Sequence, residues 1–314
     1  MERRQGNKKV VMIFQGISAN YKESIAMLNS TQLGEVKKLC HVVNEKLSYD
    51  LWSYICDTDI YTEDNPELDW MAIYAANHSI YRSYLSFGYI PSMSLGYSMG
   101  LITTAACNGA ISFEDGLDIL NGISRYRRKH SKQKENMAII IGRTEHDIAE
   151  TIVKKNLSEC VQISIVNNDD CVTISGVDEA IEEIVDLSME AGALQASKLN
   201  SPIAFHSRFT KDGIEDLEAV MASINFRDLE VPILSAYSQK LLYKGTEAKQ
   251  EIIKNMYSKM EWMKTLNNAA ERGAEVFADV STDGSLTKLS RLVVDEHEFI
   301  TLNKLNRLLD KLKI

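Results

Sequence analysis

The segment Ile90-Pro-Ser-Met-Ser-Leu-Gly-Tyr-Ser-Met-Gly100 constrains this chain most. A strand-like run meets Gly-x-Ser-x-Gly there and continues without a break into Leu101–Cys107, an apolar, small-residue stretch that suits a helix. Turning a strand straight into a helix demands close backbone approach, which glycines at 96 and 100 permit. The bend pushes the Ser98 hydroxyl outward beside a helix amino terminus. It also aims the Met99 backbone N–H at any oxyanion that forms there. Val10-Val-Met-Ile-Phe14, apolar throughout and closed by Gly16, reads as a companion strand buried on both faces of a parallel sheet.

The remaining pattern extends this into an α/β architecture. Residues 32–56 read as an amphipathic helix, Thr58–Pro66 as a polar loop, and Asp69–Phe87 as a long helix stopped by Gly88. Ser112 offers an N-cap to a helix that carries on towards Lys129. The middle of the chain changes character. Met137–Ile141 is a strand, Thr144–Lys155 a helix, Val161–Val166 and Cys171–Ser175 two short strands around Asn167–Asp170, Val177–Gly192 a helix and Ala193–Leu199 a strand. That βαββαβ order is the ferredoxin-like pattern. The expected organisation is a large α/β-hydrolase-like domain with a parallel sheet over residues 1–131 and 201–314, carrying an inserted ferredoxin-like subdomain over 132–200.

Charge and cysteine usage narrow the function classes. A formal net charge of −9 disfavours general binding to nucleic acid. Five cysteines, an odd number without a C-x-x-C spacing, fit reduced thiols in apolar surroundings. The amino terminus lacks the apolar core of a signal peptide, and no stretch approaches the roughly 20 apolar residues of a membrane span. A cytoplasmic protein without a membrane partner is expected.

A serine hydroxyl needs a base to become a useful nucleophile. His41 and His78 lie on predicted helices, His130 in a basic run, His146 near a helix start and His297 in an acidic stretch expected to be exposed. His206, in Ile203-Ala-Phe-His-Ser207, follows Ser201-Pro202 at what reads as a strand-to-loop transition. The pattern alone leaves His206 a candidate and no more.

Four blocks resemble the acyltransferase family of malonyl-CoA:acyl-carrier-protein transacylases and polyketide-synthase acyltransferase domains. They are Gly96-Tyr-Ser-Met-Gly100 with its continuation Cys107-Asn-Gly-Ala-Ile-Ser-Phe-Glu-Asp115, Met137-Ala-Ile-Ile-Ile-Gly142, Val166-Asn167 through Ile174-Ser-Gly176, and Ala204-Phe-His-Ser207. The resemblance runs from Val10 to about Val293. It implies that Ser98 takes an acyl group from a CoA thioester and hands it to the phosphopantetheine thiol of an acyl carrier protein, with His206 as general base and acid and no permanently bound cofactor or metal. It further implies an oxyanion hole from the N–H groups of Met99 and Ile17. The histidine would be oriented by a backbone carbonyl, expected near Ala270–Gly273.

The departures from that family bear on the acyl group. Malonyl-specific members hold the substrate carboxylate with an arginine, where an ungapped count from Ser98 places Ile123. Ile17 and Trp70 stand where two pocket glutamines are usual, and Tyr97 replaces the histidine of the elbow. With Phe205 and Asn167, these residues would line a more apolar pocket that favours an uncharged acyl group. The Ala-Phe-His-Ser tetrad pulls the other way, since it resembles malonyl-selecting domains. A slipped count would let Arg125, Arg127 or Arg128 supply the cation; otherwise the basic run Arg125–Lys134 reads as a solvated helix end, with docking of an acidic carrier protein as its functional alternative. A thioester hydrolase on the same scaffold, clearing acyl groups from carrier proteins, is the alternative. A lipase-like hydrolase would instead use His297.

Overall fold

The computed structural model describes residues 8–16, 25–56, 66–130, 134–199, 201 and 203–311. Ile17 and most of the Thr58–Pro66 loop lie outside the described residues. In chain order the elements are β1 (Val10–Phe14), α1 (Ser30–Leu47), α2 (Leu51–Cys56), α3 (Pro66–Phe87), β2 (Pro91–Gly96), α4 (Gly100–Cys107) and α5 (Phe113–His130). Then come β3 (Glu135–Ile141), α6 (Glu145–Lys154), β4 (Val161–Asn168), β5 (Cys171–Val177), α7 (Asp178–Glu190) and β6 (Gln195–Leu199). The chain closes with α8 (Ile214–Ala222), β7 (Ile233–Leu234), β8 (Leu241–Leu242), α9 (Gly245–Tyr257), α10 (Trp262–Glu271), β9 (Val276–Val280), α11 (Ser285–Ser290), β10 (Glu298–Ile300) and α12 (Leu302–Asp310).

The larger sheet has the order β10-β9-β1-β2-β7-β8. Its strands from β10 to β7 run parallel, and β8 closes one edge as an antiparallel hairpin partner of β7. All five residues of β1 are buried, with Val11 and Ile13 packing into one core cluster and Val10, Met12 and Phe14 into another. Helices cover both faces, which is why β1 reads as an unbroken apolar run. Phe14 pairs with Gly96 in β2, so the loops after β1 and β2 leave the sheet side by side at its carboxyl edge. Open α/β sheets build their sites at that edge.

The second sheet, β4-β5-β3-β6, is antiparallel and ferredoxin-like. On β5 the alternation is legible: Val172 and Ile174 join the core under α6 and α7, while Thr173 and Ser175 point to the opposite face. That opposite face packs against the large domain, where the Ser175 hydroxyl donates to the Phe205 carbonyl at 2.8 Å.

Two expected elements differ. The helix anticipated over 32–56 is two helices, because Ser48 adopts the left-handed conformation (φ 59°) and caps α1. Ile203–Ser207 is a turn and not the end of a strand. Its shape is set by contacts with α9 described below, which no local pattern records.

Candidate active site

The elbow is built by strict steric economy at its two glycines. A Cβ on Gly100 would sit 2.2 Å from the Phe14 carbonyl oxygen, and one on Gly96 would sit 2.4 Å from the Leu101 Cα. Tyr97 N–H donates to the Phe14 carbonyl at 2.9 Å, tying the turn to β1. Ser98 sits at φ 53°, and α4 begins two residues later with Met99 at its N-cap. The Met99 N–H donates to no backbone carbonyl among the described residues, so it is available beside the Ser98 hydroxyl.

His206, 108 residues further on, reaches this hydroxyl: Ser98 Oγ and His206 Nε2 are 2.7 Å apart. His206 also adopts a left-handed backbone, φ 59°, inside the turn. The turn is held on three sides. The His206 N–H donates to the Met256 carbonyl at 2.7 Å, the Ala204 N–H to Glu135 Oε2 at 3.1 Å, and the Ser207 hydroxyl to the Ala204 carbonyl.

The carbonyl that orients the ring is that of Asn255, which bonds the His206 side chain, and not one near Ala270–Gly273. The last turn of a helix leaves carbonyls without intrahelical partners. At the end of α9, Asn255 and Met256 give theirs to the ring and the backbone of His206. A second group lies on the same side: Tyr237 Oη is 3.4 Å from His206 Nδ1 and donates to Asn255 Oδ1 at 2.6 Å. Acceptors facing Nδ1 fix the proton there, leaving the Nε2 lone pair for the Ser98 hydroxyl. Burial pushes the imidazole down to about 4, partly offset by the Asn255 bond, so it is neutral near pH 7. Neither Tyr237 nor Asn255 figured in the sequence reading. Both converge on His206 through the packing of distant segments and carry no local motif.

The other expected residues divide. Met99, Trp70, Ile123 and Phe205 are buried in one apolar cluster, and Ile123 is only 1% exposed. Arg125 is exposed. Arg127 and Arg128 pair with buried Glu67 at 3.4 and 3.2 Å, so Arg127 in particular serves an internal ion pair and not an open docking face. Tyr97 stacks edge-on against Trp262 and donates to Asn167 Oδ1 at 2.8 Å, joining the elbow to the small sheet. Ile17 lies outside the described residues. His297 is half-buried against Phe277, contrary to the exposed position expected, and the Ser98 hydroxyl faces His206 instead. Cys56 is exposed, whereas Cys40 and Cys171 are buried.

Comparison with known proteins agrees with this architecture. The family model described as "Acyl transferase domain" matches residues 43–301. The malonyl CoA-acyl carrier protein transacylase of Haemophilus influenzae is 25% identical over 300 residues, covering 94% of this chain and 96% of the relative. Among solved structures, the malonyl CoA-acyl carrier protein transacylase from Coxiella burnetii superposes with a TM-score of 0.88 at 22% identity, over 98% of this chain and 97% of that one. A malonyl-transacylase solved in complex with its type II polyketide synthase acyl-carrier protein superposes with a TM-score of 0.84 at 20% identity, over 97% of this chain and 100% of that one.

Proposed function

The chain belongs to the acyl transferase domain family, and from that premise we propose that it moves a short, uncharged acyl group between CoA and acyl-carrier-protein thioesters through an acyl-Ser98 intermediate. The observation that carries the reading is the 2.7 Å contact between Ser98 Oγ and a buried, neutral His206. Ser98 attacks the thioester carbonyl while its proton passes to His206 Nε2. The oxyanion of the tetrahedral intermediate is met by the Met99 N–H, with Ile17 as the second donor by family resemblance. Collapse expels the CoA thiolate, which takes the proton from His206. The carrier protein's thiol then gives a proton to His206 and attacks the acyl-serine carbonyl; as the carbonyl–Oγ bond breaks, His206 returns that proton to Ser98 Oγ. The thioester brings its own leaving group, so these steps call on no resident cofactor.

Ile123 supports the uncharged substrate. The relatives are named for malonyl transfer, and a malonyl carboxylate gains by a bidentate arginine. Entering an apolar cluster without a cation would strand that charge at a cost on the order of several kcal/mol.

Incubation with acetyl-, malonyl- and longer acyl-CoA, followed by intact-protein mass spectrometry, tests the reading. Acetyl or another uncharged group should accumulate on Ser98 in preference to malonyl, and Ser98→Ala should take up nothing. His206→Ala should slow acylation by about a thousandfold. A dominant malonyl adduct would refute the substrate assignment. On adding holo carrier protein, the acyl mass should move to the carrier; release as free acid with no carrier adduct would make the enzyme a hydrolase.

A further inference from the structure

We propose that Tyr237 is a positioning residue for His206, its phenol oxygen sharing the Nδ1 proton with the Asn255 carbonyl so that Nε2 stays aimed at Ser98. The inference rests on the Ser98–His206 reading above and adds a part that the elbow and histidine motifs do not contain. Three observations carry it. First, the phenol's single proton is committed to Asn255 Oδ1 at 2.6 Å, so towards His206 Nδ1, 3.4 Å away, Tyr237 presents a lone pair. Second, Tyr237 is fixed from its own backbone: its N–H and that of Ser238 both donate to the Ser235 hydroxyl, at 3.1 and 2.8 Å. The ring cannot swing away without breaking this turn. Third, burial and the neighbouring Glu251 and Tyr97 push the Tyr237 phenol well above its ordinary value, so it stays a neutral hydroxyl.

A backbone carbonyl fixes one direction of an imidazole but leaves the ring free to rock about that bond. A second acceptor, delivered from the β7–β8 turn, removes that freedom. Asn255 serves twice, by its carbonyl towards the ring and by its side chain towards the phenol, and so couples α9 to the turn. On this arrangement Asn255's side chain affects Ser98 reactivity only through Tyr237.

Sulfonylation by phenylmethylsulfonyl fluoride measures this without any assumption about the acyl donor. The Ser98 oxygen–sulfur bond forms, the sulfur–fluorine bond breaks, and the hydroxyl proton leaves through His206. Intact-mass time courses on the full chain would compare wild type, Tyr237→Phe, Asn255→Ala, the double variant and His206→Ala. Tyr237→Phe keeps the ring and its packing, and should slow labelling by about fivefold to twentyfold. In acetyl-CoA turnover it should lower kcat by a similar factor and leave KM within about twofold. Asn255→Ala should slow wild type comparably yet add less than about twofold to Tyr237→Phe. Labelling of Tyr237→Phe at the wild-type rate, or a full additive loss in the double variant, would overturn the proposal while leaving the nucleophile assignment intact. Unimpaired labelling of His206→Ala would bring down both.

Discussion

Ser98 and His206 hold positive φ angles, 53° and 59°, and neither is a glycine. A left-handed backbone costs a non-glycine residue roughly 1–2 kcal/mol, and the cost persists only where surroundings over-determine it. Both residues are over-determined, Ser98 by the Phe14 and Gly100 contacts of the elbow and His206 by Met256 and Asn255. The same burial that shapes His206 sets its protonation. Its folded value is depressed from 6.5 to about 4, so the neutral, base-competent form persists as pH falls through the ordinary histidine range. The rate of Ser98 acylation should therefore stay flat between about pH 7 and pH 5 and fall only towards pH 4. An acid limb centred near 6.5 in kcat/KM would contradict this. The bend at Ser98 was legible in the sequence because its geometry is encoded within five consecutive residues. His206 stood out only through the tetrad around it. Its supports, Asn255 and Tyr237, are contributed by a helix end and a turn whose sequences say nothing of what they face.

Between elements, the contact that the sequence did not reveal is the one joining α3 to α5. Arg127 and Arg128 belong to the most basic part of the chain, and such a run ordinarily marks a solvated or docking surface. Glu67 in the first turn of α3 is buried, its side chain 4% exposed, and both guanidinium groups converge on it. A buried carboxylate is tolerated because it is paired, and removing one partner leaves the other's desolvation uncompensated. Glu67→Ala should lower stability by about 2–3 kcal/mol in urea titrations, mostly through stranding Arg127, since half-exposed Arg128 can turn to water. Glu67→Ala combined with Arg127→Met should recover most of that loss; equal instability of the single and double variants would count against the clasp. Elements with a simple sequence pattern were readable in advance: β1 as an apolar run, β5 by its apolar–polar alternation although both its faces are buried, and α7 by its helical spacing. The break at Ser48 and the turn at Ile203–Ser207 were not, since both depend on backbone conformations chosen by neighbours distant in sequence.

For the molecule as a whole, backbone and side-chain bonds join the two sheets beside the Ser98–His206 pair. Strand β4 is stitched to the segment after α9 by two backbone bonds, Met260 N–H to the Ser164 carbonyl at 2.8 Å and Val166 N–H to the Met260 carbonyl at 3.0 Å. Tyr97–Asn167, Ser175–Phe205 and the Lys259–Glu145 ion pair lie along the same seam. These contacts carry Asn167 and the Phe205–His206 turn to the elbow, so the spacing of the site depends on the seam. All three tryptophans, Trp52, Trp70 and Trp262, lie outside residues 135–199; Trp262 shares a core cluster with Ile165 of β4, so a Trp262→Phe background leaves Trp52 and Trp70, both in the helical cluster, as reporters of the large domain. In that background, thermal unfolding followed by tryptophan fluorescence and by hydrogen exchange of β4 and β5 amides should give coincident midpoints. Met260→Pro removes the donor to Ser164 from a fully buried position and should separate the two transitions by about 4–8 °C, the small sheet opening first. If the seam sets the spacing of the site, Ser98 reactivity in that variant should fade with the exchange transition and not with the fluorescence one. Loss of reactivity only as the tryptophans become exposed would mean that the elbow and His206 hold their register without the small sheet.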